Sequence, residues 1–450
     1  MSIRVGIEKA RVYPATLALD MGKLCAARGH DPADIRDVMM IDQRSVNPPW
    51  EDPVTMAVNA ALPMLTEEDR RSIELLVVGT ESGVDQEKPM STWVQRYLGL
   101  EPRCRNFEIK HACYSGTAGL QMAAGLLASG MVSPGAKALV ITSDQSRMHL
   151  GKPYEFVMGA GAAALLVSRD PQLFEIEPGK SGVYTSEVSD LTRPTSRVET
   201  GNSETSLLSY LDALESALGA YLARLGERVP YDYFVKNVYH VPFGGMTFRG
   251  TRTALRQFGE FSKAEAKALW EKKTLPSLAY VRRMGGTYAS STFIALLALI
   301  DRCPELRPGD RIGMFSYGSG CCSEFYSGLL GKGAHEVAKA AGVKALLDAR
   351  YEASVVDYEN AERERTCYVD SGDFTPSTTG FDGFYDRAYK GQGRLVSEQL
   401  NDKGEHYYQI PDPIPYKQTG RPPKTAKPAP QPTPSPDTTR TRPSPPTRRP

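Results

Sequence analysis

Short, almost wholly apolar runs recur along this chain, and stretches of helical periodicity separate them. ELLVVG at Glu74–Gly79, ALVIT at Ala138–Thr142 and AAALLVS at Ala162–Ser168 carry no alternating polar face. Strands of that kind are covered by helices on both sides of a sheet, because a solvated face would read as polar at every second position. Arg4–Ile7, Tyr233–Tyr239 and Arg311–Tyr317 read as further strands. Leu120–Leu127, Leu207–Leu225 and Thr292–Ile300 read as helices. The alternation predicts an α/β fold. A strand, a small-residue turn and a helix are read at His111–Leu127 and again at Ser316–Leu330, a repetition compatible with an internally duplicated core.

The chain has 450 residues, 41% hydrophobic and 24% charged, enough to bury a large core. A net charge of +1 supplies no strong field for nucleic acid or a membrane surface. No run of about 18 apolar residues predicts a span, and MSIRVGIEKA lacks the features of a signal peptide. Seven scattered cysteines do not form a disulfide framework, and no Cys or His spacing predicts a metal site. A cytoplasmic protein is expected. Composition changes at Pro411: between Lys417 and Pro450 there are eight Lys or Arg, one acid (Asp437) and many prolines. The expected organisation is a body over 1–410, in halves of about 1–170 and 171–410, and a disordered basic tail over 411–450.

Four stretches carry chemistry. In EIKHACYSGTAGL, Cys113 lies between a strand-like run and a predicted helix start. Helix N-terminal amides favour a thiolate and can hold an oxyanion; a buried structural cysteine is the alternative. In VGTESGVD, Glu81 follows a buried strand, where desolvation would suit a general base; a capping or surface carboxylate is the alternative. In VYHVPFGGMTFRG, His240 ends a strand and precedes a turn containing Phe243. Its imidazole, neutral or charged, could hold a carbonyl or move a proton, or serve only structure. In IGMFSYGSGCCSEF, Gly318 and Ser319 follow a strand, and small residues let a ligand approach the backbone.

Taken together these stretches resemble the 3-hydroxy-3-methylglutaryl-CoA (HMG-CoA) synthase family. ACYSGTAGL is similar to its cysteine motif, GTESGVD to its glutamate motif, YHVPFGGM to its His-x-Pro-Phe motif and GDRIGMFSYGSG to its C-terminal glycine motif. IDQRSVNPPWEDPVTMAVNAA (41–61) and YDRAYKGQGRLV (385–396) extend the likeness over about 3–410. The resemblance implies a thiolase-type five-layer α/β/α/β/α fold. It implies catalysis by Cys113 as acyl carrier, Glu81 as base and then acid, and His240 as holder of the acceptor. Ser206, Ser319, Gly318 and Phe243 match substrate-pocket positions. No metal or redox cofactor is implied; substrates would ride on the phosphopantetheine of CoA or of an acyl carrier protein. A homodimer is expected.

Two positions depart from the primary-metabolic pattern. Gly245 stands where a CoA-binding lysine is common, and Gly286 where a Gly-Asn turn is common. Both departures resemble the polyketide branch of the family. Its members condense an acetyl or short acyl group onto the β-ketone of a carrier-bound intermediate to leave a β-alkyl branch. Donor and acceptor acyl carrier proteins are then the expected partners, with Arg249 and Arg252 as candidate contacts. The alternatives are a primary-metabolic HMG-CoA synthase, a decarboxylating ketosynthase and a catalytically silent carrier-binding protein.

Overall fold

The computed structural model describes residues 4–146, 150–194, 199–370 and 373–411. Met1–Pro415 forms one compact unit. The Pro-rich tail, from 412 onward, lies outside the described residues.

In the first half, strands β1 (Gly6–Pro14), β2 (Ile73–Gly79), β3 (Arg105–Ile109), β4 (Lys137–Asp144) and β5 (Gly161–Ser168) form a mixed array. β1 runs antiparallel to β5 and β5 antiparallel to β4, while β4–β2 and β2–β3 are parallel. The second half repeats the plan. Its strands are β6 (Phe174–Thr185), β7 (Lys236–Tyr239), β8 (Arg311–Gly318) and β9 (Cys322–Leu330). β6–β9 and β9–β8 are antiparallel and β8–β7 is parallel. β1 and β6 meet through Gly6–Glu175 and Ile7–Phe174, giving the order β7-β8-β9-β6-β1-β5-β4-β2-β3.

The helices that matter are α1 (Pro53–Ala61), α2 (Met90–Leu98), α3 (Ser115–Ser129), α4 (Ser203–Leu225), α5 (Met246–Leu255) and α6 (Ser290–Arg302). Alternate residues of each strand enter different cores. Leu75 and Val77 of β2 and Ile312 and Met314 of β8 share a central core with α3 and α6. Leu76 and Val78 face α1 and α2 on one outer side. Phe315 and Tyr317 face α4 and α5 on the other. The result is the five-layer α/β/α/β/α arrangement. α6 lies in the middle layer and is buried from Ser290 to Ile300, which explains its apolar character all round.

Two sequence expectations need correction. Ser316–Leu330 is a β8–β9 hairpin, not a strand followed by a helix. The true counterpart of the strand–turn–α3 unit ends in α6. The apolar periodicity of Phe325–Leu330 reflects a strand buried on both faces, which local pattern cannot separate from a buried helix. The expected strand at Tyr233–Tyr239 begins only at Lys236, because Tyr231–Tyr233 forms a tight helical turn behind Pro230.

Candidate active site

The chain leaves β3 at Ile109 and turns sharply into α3, whose N-cap is Tyr114. Ala112 absorbs the turn with φ of 41°, a left-handed value that costs a non-glycine residue about 1–2 kcal/mol. This places Cys113 two residues before the helix, rather than in it. Tyr114 gives no side-chain cap, so the first-turn amides of α3 have no acceptor from it.

Gly318 packs against this turn. A Cβ there would lie 2.7 Å from the His111 carbonyl oxygen, the Tyr114 amide nitrogen and the Tyr114 Cβ. The close approach that this glycine permits is therefore made by the chain's own turn at His111–Tyr114.

Glu81 lies two residues beyond β2. The Cys113 thiol donates to Glu81 Oε1 at 3.2 Å. Burial pushes the Glu81 carboxyl up to about 8, and the nearby Asp144 carboxylate adds to the rise; the Arg193 cation opposes it. Burial also holds the Cys113 thiol well above its ordinary range, with the Glu81 charge acting in the same direction. The resting pair is a thiol hydrogen-bonded to a carboxyl group with a strong hold on its proton.

Asp144 ends β4 and fixes the loop that carries Glu81. Its Oδ1 accepts from the Glu81 amide at 2.8 Å and from the Thr80 and Ser82 hydroxyls, each at 2.9 Å. Burial raises its own pKa. In VGTESGVD an acid follows an apolar strand, and ALVITSD carries a similar local signal that points to Asp144. Arg193 and Glu199 carry no local cue. The Arg193 guanidinium donates to the Glu81 carbonyl and pairs with Glu199 at 2.6 Å.

His240 follows β7 as Glu81 follows β2. It is buried, and that burial alone lowers its pKa to about 3, so its imidazole is neutral at physiological pH. Its Nδ1 lies 3.1 Å from Ser291 Oγ in the first turn of α6. Ser291 Oγ also receives the Val241 amide at 3.4 Å, an arrangement that favours hydroxyl donation to Nδ1 and leaves the ring proton on Nε2. Tyr210 of α4 donates to the His240 carbonyl at 2.8 Å. The same first turn of α6 reaches β4 through Ser290 and Thr142, whose hydroxyls are 2.8 Å apart.

The other expected residues are more dispersed. Ser319 is half-buried in the β8–β9 turn beside Gly318, and Ser206 is half-buried in the first turn of α4. Phe243 packs, half-buried, at the edge of two apolar clusters. Gly245 is tightly covered: a Cβ would lie 2.0 Å from the Val38 carbonyl oxygen, and its amide donates to the Met39 carbonyl. Gly286 is similarly close to the Pro242 carbonyl, at 2.5 Å for a Cβ.

A thiol–carboxyl pair beyond one strand and a neutral imidazole beyond its counterpart are groups suited to acyl condensation on a fold of the thiolase type. Residues 251–389 match the family described as hydroxymethylglutaryl-coenzyme A synthase C terminal. Polyketide biosynthesis 3-hydroxy-3-methylglutaryl-ACP synthase PksG of Bacillus subtilis is 41% identical over 370 residues, 79% of this chain and 87% of that one. The hydroxymethylglutaryl-CoA synthase of Enterococcus faecalis is 33% identical, covering 79% of this chain and 90% of its own length. The crystal structure of the curacin biosynthetic pathway HMG synthase superposes with a TM-score of 0.85 at 40% identity, over 90% of this chain and 100% of that one. It has also been solved with holo and acetyl donor-ACP. The chain belongs to the HMG-CoA synthase family, and is an acyl-transferring enzyme that forms carbon–carbon bonds.

Proposed function

We propose that this enzyme condenses an acetyl or short acyl group, held on Cys113, with the β-ketone of a carrier-protein-bound polyketide intermediate, leaving a β-alkyl branch. Cys113 exchanges its thiol proton for the acyl group and releases the donor thiol. Glu81 takes a proton from the acyl α-carbon, and that carbon adds to the ketone. Glu81 returns the proton to the new alkoxide. Neutral His240 donates from Nε2 to the acceptor, and water then cleaves the Cys113 thioester. Each step is an acyl transfer, a proton transfer or a carbonyl addition, so the sequence has no net redox change and calls for no redox cofactor.

The observation that carries the choice of a carrier protein over CoA is Gly245. The position common for a CoA-binding lysine offers no cation and is packed against Val38. Charge-assisted contacts to CoA phosphates are lost there. Arg249 and Arg252 are exposed on α5, and Arg252 and Arg256 border a depression lined by Leu255, Phe261 and Ala266. Basic groups beside an apolar floor suit an acidic carrier surface. The curacin enzyme's complexes with donor-ACP support the same reading.

A cytoplasmic homodimer completes the reading. Among the described residues no helix is long and apolar enough to cross a membrane. β3 is an open sheet edge with Phe107 39% exposed, a surface suited to pairing with a second copy.

The test compares kcat/KM for a β-ketoacyl carrier protein and the matching CoA ester. A clear carrier preference is expected, weakened by Arg249→Glu with Arg252→Glu while self-acylation from a small thioester persists. Equal specificity constants would return the primary-metabolic reading to first place.

A further inference from the structure

We propose that Arg193, anchored by Glu199, is a positioning residue that holds Glu81 over the acyl group on Cys113; the inference rests on Glu81 being the base. The last sheet contact on this path is the Thr80 amide to the Ile109 carbonyl, so Glu81 itself lies beyond the ladder. Its main chain is instead gripped by two side chains. Asp144 takes its N–H from the β4 side at 2.8 Å. Arg193 donates to its C=O from the segment after β6. Pinning both groups of one residue fixes the direction of its side chain, which the Cys113–Glu81 contact requires.

Arg193 is itself held. Its side chain is 16% exposed and that of Glu199 only 2%, and their charged atoms are 2.6 Å apart. A planar guanidinium can bridge a carbonyl and a carboxylate at once, which an ammonium does less well. Glu199 in turn receives the Tyr288 hydroxyl at 3.5 Å. Tyr288 stands at φ of 49° in the turn that opens α6, three residues before Ser291 and its contact with His240. The path Glu81–Arg193–Glu199–Tyr288 therefore joins the base of one half to the helix start that seats the imidazole of the other. A cation placed here also opposes the effect of Asp144 on Glu81.

The experiment uses full-length enzyme in three variants: Arg193→Gln, Arg193→Lys and Glu199→Gln. Each is pre-acylated at Cys113 from an acetyl thioester, quantified by mass spectrometry, and then mixed with a β-ketoacyl carrier protein across a range of pH. Arg193→Gln is expected to condense about 10²-fold more slowly, the scale of a misplaced catalytic group. It is expected to lose far less in acyl loading, and to show a condensation midpoint moved to higher pH. Arg193→Lys should restore the midpoint while recovering only part of the rate, and Glu199→Gln should slow condensation less than Arg193→Gln. An unchanged midpoint in Arg193→Gln, or equal losses in loading and condensation, would overturn the inference in favour of a purely structural role. A Glu81→Gln control separates the two ideas. If it condenses normally the assigned base is wrong, whereas an inactive control beside a wild-type-like Arg193→Gln defeats only the positioning role.

Discussion

The two halves of this enzyme share a strand plan, and the proposed reaction divides its chemistry between them. β2 leads to Glu81 and β7 leads to His240; both strands run parallel to their inner neighbours. A residue at positive φ precedes the middle helix of each half, Ala112 before α3 and Tyr288 before α6. The first half places a thiol and a carboxyl in contact, while the second supplies a neutral imidazole seated on a serine. Their sheet edges differ as well. β7 is buried along its whole length, and between it and α6 the chain forms helical segments at Lys263–Lys273 and Leu275–Leu278, where in chain order the first half forms β3. β3 remains an exposed edge. The lesson is that two equivalent strand ends present different groups because the packing around each differs, and the proposed reaction uses that difference.

The largest expected effect tests this division directly. Glu81→Gln should load acyl on Cys113 yet condense ~10²–10⁴-fold more slowly, the usual cost of losing an acid–base group. Mass spectrometry of the acyl-enzyme and product formation read the two steps separately. Near-normal condensation would break the assignment of proton transfer to the first half.

A pH profile sharpens the contrast. A base works in its deprotonated form, and Glu81 holds its proton up to about 8. Condensation should therefore rise about tenfold per unit as pH increases toward 8, then level off. His240, lowered to about 3, stays neutral over the same range and adds no second step. A profile falling between pH 6 and 8 would contradict both assignments.

The contact between halves at the Cys113 turn is open to a smaller change. Gly318→Ala drives a methyl into the His111–Tyr114 turn, contacts of 2.7 Å that are mostly backbone. A loss of about 1–3 kcal/mol in denaturant unfolding is expected, together with slower acylation. Wild-type stability and acylation would show that the turn yields freely.

The smallest effect belongs to the imidazole's support. Ser291→Ala removes one hydrogen bond to Nδ1, a net contribution of about 1 kcal/mol. The expected outcome is a several-fold rise in acceptor KM, with acyl loading unchanged. An effect on loading instead would tie Ser291 to the nucleophile's side of the pocket.

Sequence alone determined much of this. Short apolar runs such as ELLVVG, ALVIT and AAALLVS, alternating with stretches of helical periodicity, fit a sheet covered by helices, so the α/β class was legible from local pattern. The resemblance of ordered motifs singled out Cys113, Glu81 and His240; by local pattern alone Glu81 and His240 follow apolar strands, and Cys113 precedes a helix start. The β8–β9 hairpin is not legible in the sequence, since a strand buried on both faces loses its period-two signal. Tertiary structure alone decided that Asp144 and Arg193 grip Glu81 from opposite sides, and that Val38 closes over Gly245. Those contacts join residues 63, 112 and 207 positions apart, and no local spacing encodes them. Burial did most of the rest: a glutamate and a histidine have ordinary proton affinities in a sequence, and exclusion from water moved His240 down by itself and Glu81 up together with the charge of Asp144.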